Sequence, residues 1–316
     1  TMAKKSSNTS LGKAKDVKND EFYTRFDDIQ AELNFYKDQL KDKVIYCNCD
    51  DPAESAFIDF FKLNFDYLGI KKLIGTRYQK SNLFLYAEPV RQRGYRLEIT
   101  AKNKNDKKPV KINLKGDGDF RSPECVELLM EADIVVTNPP FSLFREYIEQ
   151  LMEYNKQFVI VAPDSALHYK DIFKLIKVNK LWLGYGRVKE FVQPDGTVKK
   201  MGNVGWFTNL DTTKRHEPLL MYKKYSPEEY PHYDNYDAID VARVAAIPAD
   251  YYGKMGVPDT FLYNYNPDQF ELIGVPTGDS GKELGVKKNY RGRTDISVTK
   301  NGKMSCPYSR IIIKQK

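Results

Sequence analysis

The residues best placed to do chemistry lie at 133–141, DIVVTNPPF, an apolar run that stops at Asn138, Pro139, Pro140 and Phe141. Such a run reads as a strand buried on both faces. In open parallel sheets ligands sit just outside the carboxyl ends of the strands, and Asn138 falls there. The two prolines hold the backbone extended and remove two N–H donors, which leaves carbonyl oxygens to face a guest. The Asn138 side-chain oxygen and the Pro139 carbonyl are a pair of acceptors suited to both hydrogens of an exocyclic amine on an aromatic base. Such an amine is a poor nucleophile because its lone pair is delocalised into the ring. Holding both hydrogens favours a pyramidal nitrogen with its lone pair aimed at a methyl donor, and stabilises the positive charge that develops. Phe141 offers a face on which the base stacks. A base inside a duplex has to be flipped out to reach such a pocket. No general base with a shifted pKa and no covalent intermediate is required. The bland alternative is a proline-rich turn after a core strand.

Elements on either side position this segment. Leu143, Phe144, Tyr147, Ile148, Leu151 and Met152 mark a helix with a broad apolar face directly after it. Short apolar runs predict further buried strands at 43–48 (KVIYCN), 72–76 (KLIGT) and 157–162 (QFVIVA), and helices are expected at 27–41, 54–65, 123–132 and 168–178. Residues 77–115 break the alternation with RLEIT and VKINL around an Asn/Asp/Lys-rich turn, and read as an inserted hairpin. Further strands near 181–183, 188–193 and 204–208 complete the pattern. The expected fold is α/β, a doubly wound, mostly parallel sheet of about seven strands over residues 20–220. Residues 1–19 are polar and lysine-rich and read as a flexible basic arm. Residues 221–316, rich in Tyr, Pro, Asn and Asp, form either a small second domain or an irregular wrap.

Composition narrows the function. Cys47 and Cys49 have one residue between them, His168, His216 and His232 are far apart, and no metal site is expected. With no signal peptide and no apolar run long enough to span a bilayer, the chain reads as cytosolic. The net charge of +7 is unevenly spread. Residues 71–115 hold thirteen Lys/Arg against three acids, and 282–316 hold ten against two, which leaves the remainder net acidic. Two basic segments on an acidic body suit a polyanion, although on charge alone they are equally well read as solvated faces.

The chain resembles the EcoRI-type family of adenine-specific DNA methyltransferases nearly from end to end. The likeness is carried by KNDEFYTRFDDI (18–29), VIYCNCDDP (44–52), GDGDFRS (116–122), DIVVTNPPFSLFREY (133–147), YDNYDAIDV (233–241), MGVPDTFL (255–262) and PYSRIIIK (307–314), in that order. The resemblance implies a class I S-adenosylmethionine-dependent fold in which Asn138, Pro139, Pro140 and Phe141 are the catalytic motif. It implies that Asp50, Asp51 and Pro52 bind the methionine and ribose parts of the cofactor. Asp119 and Phe120 would hold its adenine, and Phe22, Tyr23 and Thr24 would close over the methionine end. It further implies a flipped-out adenine methylated at N6 in a short duplex site such as GAATTC, a monomer, and a role beside a restriction endonuclease.

The sequence departs from the methyltransferase pattern in two places. No glycine-rich turn follows Cys49, and no acid closes the strand that ends near Gly75, Thr76 and Arg77. Asp50 and Asp51 are also readable as a helix cap and turn, and Asp119 as a turn residue. DNA contacts are expected from the hairpin at 91–111, from Lys199 and Lys200 in a loop at 194–203, and from Lys287, Lys288, Arg291 and Arg293 in KKNYRGR. Trp206 and Phe207 either wall the base pocket or fill the core. Two other readings stay open: an N-methyltransferase acting on RNA or another acceptor, and a non-catalytic DNA-binding module on the same scaffold.

Overall fold

Four short apolar segments build the centre of the molecule because each is buried on both faces: β2 (Val44–Cys47), β3 (Lys72–Arg77), β6 (Ile134–Thr137) and β7 (Gln157–Pro163). The computed structural model describes residues 23–49, 51–79, 93–106, 109–193 and 196–316. They fall into two units: residues up to 164 with 186–210, and residues 165–185 with 211–316.

In the first unit β3, β2, β6 and β7 pair in parallel in that order, with Ile45 opposite both Leu73 and Ile134, and Val135 opposite Phe158. Each parallel step needs a helical crossover. Helices α3 (Ala56–Leu63) and α4 (Phe65–Leu68) connect β2 to β3, α5 (Pro123–Glu131) leads into β6, and α6 (Phe144–Glu153) joins β6 to β7. The chain therefore steps outward from β2 to β3, returns across β2 to β6, and continues to β7. Crossovers of one hand, run in opposite directions, put α3 and α6 on opposite faces of the sheet. The order reverses between β2 and β6, which is the crevice where ligands bind in such sheets.

The sheet is larger and less parallel than expected: nine strands in the order β1-β8-β9-β7-β6-β2-β3-β4-β5. Beyond β3 the inserted segment adds antiparallel β4 (Tyr95–Ile99) and β5 (Lys111–Asn113) to the sheet. The reason is local, since 77–115 carries no helical apolar stripe and so returns as a hairpin instead of a crossover. At the other edge β8 (Trp182–Val192) and β9 (Val198–Thr208) form a long hairpin, β9 pairs antiparallel with β7, and β1 (Tyr23–Thr24) pairs antiparallel with β8. Lys199 and Lys200 thus lie within a strand and not in a loop. The arm at 1–19, Phe22, Asp50 and part of the hairpin at 91–111 lie outside the described residues.

The second unit has its own sheet, β10-β11-β15-β12, from β10 (Ile239–Asp240), β11 (Lys254–Pro258), β12 (Phe270–Gly274) and β15 (Arg310–Gln315). Ile311, Ile312 and Ile313 are fully buried at its centre. Asp240, on the same sheet, is nearly inaccessible and is held by Tyr233, Lys300 and Arg310. Burial works against its charge, yet these partners hold its carboxyl below the usual range.

Candidate active site

A cleft of about 310 Å³ opens at the β2/β6 switch point, within the size range of ligand pockets. Asn138, Pro139, Pro140 and Phe141 form one wall. Asn138 follows the last residue of β6 and is only 8% exposed. Pro140 is extended (φ −55°, ψ 124°), Phe141–Leu143 make one tight 3-10 turn, and α6 begins at Phe144. The Pro140 carbonyl accepts the Leu143 N–H at 2.9 Å, which closes that turn. The half-buried Phe141 ring stands edge-on to Phe191 of β8, centroids 6.4 Å apart. Behind the motif α6 is anchored by Phe144, Tyr147, Ile148 and Leu151, with Phe144 against Phe207 at 5.4 Å. Trp206 and Phe207 are both core: they are buried, and neither lines the cleft.

The opposite side is built from the ends of β2 and β3. Asn48 is buried, and its side-chain oxygen accepts from the Tyr147 hydroxyl and from the Cys49 thiol, the latter at 3.5 Å. Asp51 is not a helix cap, because Ser55 caps α3 through Phe57 N–H. Its carboxylate instead accepts from the Ala53 backbone at 3.0 Å, from the Tyr95 hydroxyl, and from Arg77 Nη1 at 3.1 Å. Burial, followed by the neighbouring Asp51, pushes the Tyr95 phenol well above its ordinary pKa, so it remains a donor. The last residue of β3 is thus Arg77, whose charge is balanced by Asp51.

The segment 116–122 is pressed against the end of β3. Gly118 has φ +85°, and a Cβ there would stand 2.1 Å from the Arg77 carbonyl oxygen, so only glycine fits. The Asp117 carbonyl accepts the Gln79 N–H at 2.7 Å, which holds the two segments together. The Asp119 carboxylate is forked by Arg121, from Nε at 2.9 Å and Nη2 at 2.7 Å, with the Arg121 backbone N–H adding a third donor at 2.9 Å. Those bonds hold its carboxyl below the usual range against the opposing effect of burial. Phe120 packs edge-on to Tyr147 at 5.1 Å.

Of the residues expected to hold a cofactor, Tyr23, Asp51, Asp119 and Phe120 line this cleft. Thr24 and Pro52 do not: Thr24 is buried in β1, and Pro52 packs behind β3, where it would abut a Cβ at position 75. The cleft also has Asn48, Cys49, Glu54, Arg77, Tyr78 and Arg121 on its surface, which pattern reading missed. Only the position of Arg77 at the end of an apolar strand hinted at its place. Among the described residues no group of His, Cys, Asp and Glu could hold a metal ion, and no helix is long and apolar enough to cross a membrane.

The expected DNA contacts are surface groups. Lys199 and Lys200 are exposed, with Lys200 within 3.9 Å of Glu190. In the second unit Lys287, Lys288, Arg291 and Arg293 are all exposed on a loop built around buried Asn289. The Asn289 side-chain oxygen accepts the Arg291 and Arg293 N–H groups at 2.8 and 3.2 Å, and its amide donates to the Asp295 carbonyl at 3.0 Å. A buried asparagine thus holds this basic loop in one shape.

Comparison with known proteins places the chain in a family. The family described as adenine-specific methyltransferase EcoRI matches residues 10–316. Type II methyltransferase M.EcoRI of Escherichia coli is 45% identical, covering 100% of this chain and 99% of its own length. Type II methyltransferases M.MgeORF184P of Mycoplasma genitalium and M.MpnI of Mycoplasma pneumoniae are each 37% identical, over 96% and 97% of this chain and 98% of each relative. No solved structure matches. With an asparagine-proline-proline-phenylalanine wall at the switch point and a family match across almost its whole length, the chain belongs to the EcoRI family of adenine-specific methyltransferases.

Proposed function

We propose that the chain methylates the exocyclic N6 amine of an adenine flipped out of a short duplex DNA site, with S-adenosylmethionine as donor. The observation that carries this reading is the shared cleft: the Asn138–Phe141 motif and the Asp51 and Asp119 carboxylates open onto one cavity. The donor set suits such a cofactor. Asp119 is an ionised acceptor for an adenine amine, Phe120 an adjoining ring, and Asp51 with Arg77 a polar pair for ribose and amino-acid groups. When bound, the cofactor supplies an electrophilic methyl carbon on a positively charged sulfur.

The protein's own part is orientation and charge stabilisation. Asn138 and the Pro139 carbonyl take the two amine hydrogens, and Phe141 supports the ring. The nitrogen becomes positive as its new bond forms, and the two oxygen dipoles stabilise that charge. Transfer breaks the methyl–sulfur bond and leaves neutral S-adenosylhomocysteine, after which the nitrogen, by then strongly acidic, loses its surplus proton to water. The palindrome GAATTC, action as a monomer on one strand at a time, and pairing with an endonuclease complete the proposal.

Nucleoside analysis of duplex DNA treated with the purified protein and S-adenosylmethionine tests the reaction. N6-methyladenine is expected, and methyl groups found only in RNA or protein would overturn it. Phe141→Ala is expected to weaken retention of the flipped base by about 1–3 kcal/mol, the cost of one lost stack. Fluorescence of 2-aminopurine at the target position reads this, and an undiminished signal would remove Phe141 from the base pocket. Neutralising Lys287 and Lys288 together is expected to lower the salt slope of DNA binding by about 2, roughly 0.9 per phosphate contact. An unchanged slope would take that loop out of the interface.

A further inference from the structure

The helix that follows the catalytic motif touches the segment 119–121 at three points. Glu146 accepts from Arg121 Nη1 at 3.1 and 3.2 Å, Tyr147 packs on Phe120, and the Gln150 amide donates to the Phe120 carbonyl at 3.1 Å. Arg121 is the hub. Its Nε and Nη2 fork onto Asp119 while Nη1 reaches Glu146, so one planar guanidinium engages carboxylates from two separate elements. A lysine ammonium lacks this fixed fork.

Exposure argues against a role in stability. The Arg121 and Glu146 side chains are 46% and 49% accessible, and ion pairs this open contribute little to folding. What the arrangement does determine is the direction and charge of the Asp119 carboxylate at the cleft.

We propose that Arg121 is a positioning residue for cofactor binding, aiming the Asp119 carboxylate at the cofactor's adenine and itself anchored by Glu146 on the helix of the catalytic motif. This rests on the reading above in which Asp119 faces that adenine. Three other titratable groups bear on Asp119: Asp117 beside it, Tyr78 after β3 and Cys125 in the first turn of α5. None of them is a cation. Without the Arg121 side chain only the backbone N–H of residue 121 still opposes burial, and the Asp119 pKa rises. The carboxylate is then lost at a higher pH than in the unaltered protein.

The test is calorimetric binding of S-adenosylhomocysteine to the full chain across about pH 5–8, which brackets the shift expected of a carboxylate raised by burial. Arg121→Gln is expected to weaken binding about tenfold or more at neutral pH, and further as the pH falls, where the unaltered protein stays flat. Arg121→Lys is expected to restore the flat pH profile while leaving the affinity low, because charge returns without the fork. Glu146→Gln is expected to weaken binding by a smaller factor with the profile flat. Melting temperatures close to the parent's in all three separate positioning from folding. Parent-like affinity and pH profile in Arg121→Gln would overturn the proposal. Asp119→Asn distinguishes the two levels. If it too binds like the parent, the reading of Asp119 fails. If it binds weakly while Arg121→Gln does not, only the role of Arg121 fails.

Discussion

Asn138→Ala is expected to lower turnover by about a thousandfold or more while S-adenosylhomocysteine affinity stays within about threefold. The magnitude follows from removing a preorganised dipole aimed at developing charge, which typically costs a factor of 10² to 10³, together with the lost orientation of a poorly nucleophilic amine. The separation follows from the geometry. Asn138 stands at the end of β6 on the motif's wall, whereas the residues proposed for the cofactor come from the ends of β2 and β3 and from 116–122. The fold is expected to survive, because α6 is anchored by its own buried apolar residues. Single-turnover kinetics beside calorimetry reads both quantities. Near-parental turnover in this variant would contradict the mechanism, and joint loss of binding and stability would assign Asn138 a structural role.

Gly118→Ala is expected to be the most damaging small substitution in the cofactor half, costing about 3 kcal/mol of stability and most of the cofactor affinity. Two effects combine at this position. An L-residue at φ +85° is strained, and its Cβ would stand 2.1 Å from the Arg77 carbonyl oxygen. That oxygen belongs to the last residue of β3, which is held there by its pairing with Tyr95 of β4, and does not yield easily. The glycine segment has to lift instead, carrying Asp119 and Phe120 away from the cleft and loosening the Asp117–Gln79 bond. A thermal melt and a cofactor titration measure the two losses. Parental values in both would mean that the loop relaxes without consequence, and that the close approach of 118 to β3 is not needed.

How much was legible follows from how each feature is made. The DIVVTNPPF motif could be read because a strand buried on both faces is a continuous apolar run, and because two prolines end it at a defined point. The parallel centre was legible for the same reason. Of the outer strands, β4 and β5 were legible as an inserted hairpin and β8 and β9 as strands, but their antiparallel places in the sheet were not, and β1, two residues long, is too short for an alternation to register. In the second unit the run PYSRIIIK was quoted as a likeness, yet nothing local marks it as the central strand between β11 and β12. The same run supplies Ser309 and MGVPDTFL supplies Asp259, and both meet His168 in this unit. Because a single ring nitrogen of His168 faces both partners, this cluster is a tether and not a nucleophile relay.

The site shows the same division. Asn138, Asp51 and Asp119 could be named as candidates because motif positions carry their types, and all three line the cleft. Arg77 and Arg121 were missed because their importance lies in pairing with Asp51, Asp119 and Glu146, and no periodicity records such contacts. Thr24 and Pro52 share a motif with residues that line the cleft but do not line it themselves: Thr24 is buried on β1, and Pro52 packs close to Gly75 of β3.

The most direct test of the central claim is methylation-aware sequencing of DNA from cells expressing this chain, beside cells expressing Asn138→Ala. The account predicts N6-methyladenine at one short motif with the unaltered chain and none with the variant. Absence of modified adenine from a folded protein that binds S-adenosylmethionine, or methylation that persists in the variant, would contradict it.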